Sequence, residues 1–191
     1  MTARTTLATL IDRLRGMTNA GTADYSLGTA NFWDGDHMQD VLDRHRTDVK
    51  REPLTMVSDL LGGGSVSYTE YRSRFMNYEA TSGGSAIFIV ENSTGANVGT
   101  ASYSVDYQNG IVTFGANQAG TLYYLTGRSF NLNAAAADVW RQKAAHYADT
   151  KFDFSTDGHS IKRSQLVQQA MDMAERYENM GGGIQTVEMI A

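Results

Sequence analysis

The chain has 191 residues, 41% of them hydrophobic, with 19 glycines and one proline. That apolar content suits one domain with an insertion, or two small domains, and excludes wholesale disorder. The net charge of -5 and the absence of cysteine exclude disulfides, thiolate metal sites and a cysteine nucleophile, and they argue against a protein that grips nucleic acid by its phosphates.

The N-terminal stretch MTARTTLATLIDRLRG lacks the continuous apolar core of a secretory signal. Leu7, Leu10, Ile11 and Leu14 share one face, which predicts a first helix over 5–15. Residues 16–33 are rich in Gly, Thr and Asn and read as a long loop. Asp34 is a good N-cap for a second helix over 35–47, in which Met38, Val41, Leu42 and His45 form a stripe. Pro53 closes this first helical segment, taken as 1–54.

From 55 to 127 the period changes. VSYTEYRSRFMNYE alternates, AIFIV and LYYL are runs of β-formers, and SYSVDY meets GIVTF across Asn109-Gly110, a strong hairpin signal. These segments predict an inserted antiparallel β-module of about five strands. Helices return over 128–180. Asn131 or Asn133 can cap an alanine-rich helix, and IKRSQLVQQAMDMAERYENM forms the last one. The expected class is α+β: a helical bundle of about four helices, the inserted β-module, and a C-terminal tail over 181–191. The two helical segments are each too small to stand alone and are expected to pack together.

Asp153, Ser155, Asp157 and Gly158 open like an EF-hand loop, but the twelfth position is Ser164 rather than a bidentate carboxylate. The residues suit a turn better. Asp153 and Asp157 can bond local backbone, Gly158 can take positive φ, and Ser160 can cap the final helix. The histidines lack zincin spacing, and Asp34, Asp36, Asp40 and Asp43 read as a solvated face rather than paired catalytic acids. No phosphate loop or nucleophile elbow is present. No catalytic, metal or cofactor residue is therefore assigned.

The glycines Gly181, Gly182 and Gly183 separate the last helix from Ile184, Val187, Met189 and Ile190. Apolar side chains on a glycine tether suit docking into a partner's groove or sheet edge.

The stretch from Thr126 to Tyr177 resembles the head–tail adaptor, or connector, proteins of tailed bacteriophages. An Asn-capped alanine-rich helix with a central Trp140, and an FDFS-x-DG-x-S turn leading into a helix beginning KRSQ, carry the likeness. FWDGDHMQDVLDRHRTDV looks like the second helix of such proteins. The resemblance implies a non-enzymatic virion protein of the neck, made in the host bacterial cytoplasm, that forms a ring of about twelve copies. It implies a portal partner bound through the C-terminal segment, here Gly181 to Ala191, and a stopper or tail partner. DNA would pass through the channel without specific binding, and no membrane or cofactor is involved. The β-module departs from the minimal all-helical adaptor. Two other classes remain: a β-domain recognising a carbohydrate or host surface, with the helices as its mount, and a hydrolase using the Asp-rich helix.

Overall fold

The computed structural model describes residues 3–21, 25–27, 30–81, 87–150, 154–156, 159–161 and 163–181. A short 3-10 turn, Thr5–Leu7, leads into α1 (Ala8–Thr18). There follow β1 (Ser26–Leu27), β2 (Ala30–Asn31), α2 (Gly35–Arg44), β3 (Arg46–Pro53), β4 (Thr55–Leu60) and β5 (Val66–Arg72). Next come β6 (Ile89–Asn92), β7 (Tyr103–Asp106), β8 (Ile111–Phe114), β9 (Tyr123–Phe130) and α3 (Leu132–Thr150). The chain closes with β10 (Phe154–Thr156), β11 (His159–Ile161) and α4 (Arg163–Gly181). This is a mixed α+β fold. The residues gather into two compact units. One holds Ile11–His45 and the chain from Asn131 onward, and the other holds Arg4–Leu10 and Arg46–Phe130.

In the helical unit, α3 packs along α4, and α2 packs on α3. Small buried residues permit close approach: Ala135, Ala136 and Ala144 on α3, Ala170 and Ala174 on α4. Met38, Val41 and Leu42 supply the buried face of α2. Asp34 caps that helix, its side chain accepting from His37 N at 2.8 Å. The end of α1 has the form of a Schellman motif: Asn19 takes φ +49, and Ala20 N donates to Arg15 O at 3.2 Å. Two distant side chains hold this end. Lys143 Nζ donates to Asn19 O at 2.8 Å, and the Tyr177 hydroxyl donates to Met17 O at 2.9 Å. A cation at a helix C-terminus also complements the helix dipole.

In the β unit, an antiparallel three-stranded sheet has the order β3-β9-β6 and an antiparallel four-stranded sheet the order β4-β5-β8-β7. Val49, Tyr71, Phe88, Val90, Phe114, Tyr123 and Leu125 belong to one buried core drawn from both sheets. Edge-to-face pairs lock it, with Tyr71 and Phe114 centroids 5.4 Å apart and Tyr78 and Phe88 5.2 Å apart. Glu79 is fully buried and accepts from Thr6 Oγ1 at 2.5 Å, Arg4 Nε at 3.1 Å and Arg128 at 3.4 Å. That triple satisfaction is what makes a buried carboxylate tolerable.

Several expectations are corrected. The strands of the two main sheets begin at Arg46, inside the 1–54 segment expected to be helical, and run to Phe130, and a short β1–β2 hairpin stands within the expected 16–33 loop. β3 reads RTDVKREP, a strand with charges on its exposed positions and only Val49 and Glu52 buried. The two main sheets contain seven strands. Asn131 caps α3, its Oδ1 accepting from Ala134 N at 3.1 Å, so Asn133 lies inside the first turn. Ser160 pairs with Ser155 in the β10–β11 hairpin, and α4 begins only at Arg163, too far along for Ser160 to cap it. The β7–β8 connection spans 107–110 rather than two residues, since Asp106 pairs with Ile111. Asp106 Oδ1 accepts from Gln108 N and Asn109 N there, and only Gly110 has positive φ.

Candidate functional site

α4 runs to Gly181, and a Cβ on Gly181 would lie 3.4 Å from both Asn131 Oδ1 and Asn133 Cβ. The end of α4 therefore abuts the start of α3, and the apolar C-terminal segment follows from that corner. Near it, Asp172, Glu175, Arg176, Asn179 and Met180 line an open groove of about 550 Å³ on α4. An ion pair between Arg141 and Glu178 ties α3 to the same end of α4. Of the residues expected to dock, only Gly181 lies among the described residues. Gly182, Gly183, Ile184, Val187, Met189 and Ile190 lie outside them, as do Asp153, Asp157 and Gly158 of the EF-hand-like turn.

Three histidines of the helical unit have structural partners. His37 Nε2 lies 2.8 Å from Gln142 Oε1, and His45 Nε2 lies 2.7 Å from Asp138 Oδ2. His146 stacks on Tyr25 with centroids 3.6 Å apart. Among the described residues no group of three or more His, Asp or Glu could hold a metal ion. No helix among them is long and apolar enough to cross a membrane.

Besides the Glu79 cluster, the β unit holds a partly buried polar network around Ser73. Ser73 Oγ lies 2.6 Å from the Tyr78 hydroxyl, donates to Glu52 Oε2 at 3.3 Å, and receives Phe75 N–H at 3.0 Å. Arg74 Nε pairs with Glu52 Oε1 at 3.0 Å. Burial pushes the Glu52 carboxyl above its ordinary value, against the pull of Arg74. Burial pushes the Tyr78 hydroxyl up strongly. No imidazole joins the network among the described residues. Its chemistry is that of a turn lock: it fixes 73–78 against β3. Sequence reading missed it because Glu52, Ser73 and Tyr78 share no local spacing.

A folded state that holds the Glu52 proton more tightly than the unfolded chain gains stability at low pH. That gain is complete below the unfolded-state pKa and is lost as pH rises through the folded-state one. Glu52→Gln removes the dependence. Its stability relative to the unsubstituted chain should therefore rise between about pH 4 and pH 7, read by urea denaturation at each pH. A flat difference across that window would mean that Arg74 keeps the carboxylate charged throughout.

Comparison with protein-family models, curated proteins and solved structures finds no match.

Proposed function

We propose that the chain is a structural virion protein: a ring adaptor between the portal and the stopper or tail of a tailed phage, lining the DNA exit channel. The observation that carries this reading is the helical unit. It joins both arms of the chain and holds the α3–α4 pair, whose residues bear the adaptor resemblance. The last turn of α4 lies against the α3 N-cap, so the apolar segment after Gly181 starts from a fixed point. A docking peptide on a rigid mount loses less entropy on binding than one on a mobile base.

Charge supports the same reading. The net charge of -5 falls on the helical unit, which has nine Lys and Arg against fourteen Asp and Glu, while the β unit has seven of each. Acidic helices around a channel let DNA move without gripping its phosphates.

Electron microscopy of the protein mixed with the portal protein of the same genome tests the reading. Added ring density on the portal's narrow end is the expected result, and none at high excess would overturn it. In the same assay, changing Ile184, Val187 and Ile190 together to Ser should weaken portal binding at least about 100-fold, as loss of a cluster of apolar anchors does. The circular dichroism spectrum should not change. Unaltered binding by that variant would remove the tail from the interface.

A further inference from the structure

We propose that the outer edge of β4 is a self-pairing surface, to which β4 of a second copy adds as an antiparallel strand. Among the described residues β4 is the end strand of its sheet and bonds only to β5. The irregularity in that pair leaves β4 regular. Between Val57↔Glu70 and Asp59↔Ser67, only Ser58 of β4 faces Tyr68 and Thr69 of β5. The surplus in β5 is tied away from the edge: Tyr68 N donates to Asn117 Oδ1 at 2.9 Å, and Tyr68 O accepts from Gln118 N at 3.0 Å. β4 thus presents an unbroken edge of main-chain donors and acceptors.

Sheet edges are ordinarily blunted by lysine, proline or bulges. β3 has such protection, with Pro53 at its end and Lys50 and Arg51 within its register shift. β4, reading TMVSDL, has none of it except Asp59. Its tip is also apolar: Leu60 is 78% exposed, Leu61 51% and Val66 41%. No cation occurs from Thr55 to Val66, which disfavours nucleic acid and anionic lipid, and no ring is exposed at the tip to stack on a sugar.

The strand's own pattern names the occupant. Alternation puts Leu60 on the face of Met56, which packs against the β-unit core. A two-fold axis through Ser58 would set Leu60 opposite Met56 of the second copy, and Leu61 opposite Thr55. Asp59 would face Val57, so the only charge in the strand never meets itself. Such a contact is isologous and extends the core face of both sheets. The pairing stands on the β unit alone and does not depend on the ring.

The chain has no cysteine, so Ser58→Cys in the full-length protein reports the axis directly. On mild oxidation it should give at least about ten-fold more disulfide-linked dimer than Ser93→Cys, an exposed turn position, because only the former places two thiols in facing positions. Adding Leu60→Lys should return cross-linking to the Ser93→Cys level with an unchanged circular dichroism spectrum. Sedimentation of the unsubstituted protein should move toward twice the monomer mass as concentration rises, and Leu60→Lys should stop that movement. Equal cross-linking of the two cysteine variants, or dimer that survives Leu60→Lys, would overturn the proposal. Either result leaves the portal assay unaffected.

Discussion

Replacing Gly110 with alanine is expected to destabilise the β unit by about 3–5 kcal/mol, a large part of the stability of an ordinary domain. Gly110 has φ +66, and an added Cβ would stand 2.2 Å from Phe75 O and 3.2 Å from Tyr78 Cε2. Neither neighbour can retreat cheaply. Gly110 O accepts from Ser73 N at 2.9 Å, Asn77 N donates to Gln108 O at 2.9 Å, and Tyr78 N donates to Tyr107 O at 2.8 Å. Moving the loop therefore breaks backbone bonds on both sides of the clash. Gly62→Ala is the matched control, with nothing within 4 Å of its Cβ, and should change stability by less than about 0.5 kcal/mol. Guanidinium denaturation of both variants decides the matter. A loss under about 1 kcal/mol for Gly110→Ala would mean that the 107–110 loop can relax away from the 73–78 turn.

Trp33→Ala should cost the helical unit about 3–5 kcal/mol, the range for deleting a buried large aromatic. Trp33 is fully buried, with edge contacts to Phe32 at 4.7 Å and Tyr25 at 5.7 Å between centroids. Its carbonyl accepts from Arg15 at 3.2 Å, and the Lys143 ammonium stands 6.0 Å from its ring centroid. Its indole nitrogen has no hydrogen-bond partner among the described residues. Phenylalanine forfeits volume there but no hydrogen bond, so Trp33→Phe should cost only about 1–2 kcal/mol. Equal losses for the two variants would show that something specific to the indole, and not the filled volume, holds the site.

The contrast between Trp33 and Asp34 shows what local sequence can reveal. Asp34 opens a helix whose stripe of Met38, Val41 and Leu42 is periodic, and that signal needs no tertiary information. Trp33, one residue earlier, sits among Gly, Thr and Asn, and its burial depends on partners such as Lys143 more than a hundred residues away. β3 was hidden for a related reason. Its exposed positions carry Arg46, Asp48 and Lys50, so it lacks an apolar run, and its pairing with β9 is set by residues about eighty positions on. The alanine-rich composition of α3 announced a helix, but the choice between Asn131 and Asn133 as its cap turned on a single backbone register. The apolar groups after Gly181 were legible as composition alone, and most of that candidate docking site lies outside the described residues.

The clasp on the end of α1 has a consequence for the order of events during synthesis. The Asn19 and Met17 carbonyls accept from Lys143 and Tyr177, which follow the whole β unit along the chain. Translation proceeds at roughly 5–20 residues per second. The β unit is complete once Phe130 has left the ribosome, but the segment from Ile11 to His45 must wait for α3 and α4. For several seconds its apolar stripe has no native surface to cover it. A nascent chain halted after residue 130 should therefore present protease-resistant β structure and protease-sensitive early helices. Both should become resistant once Tyr177 is available.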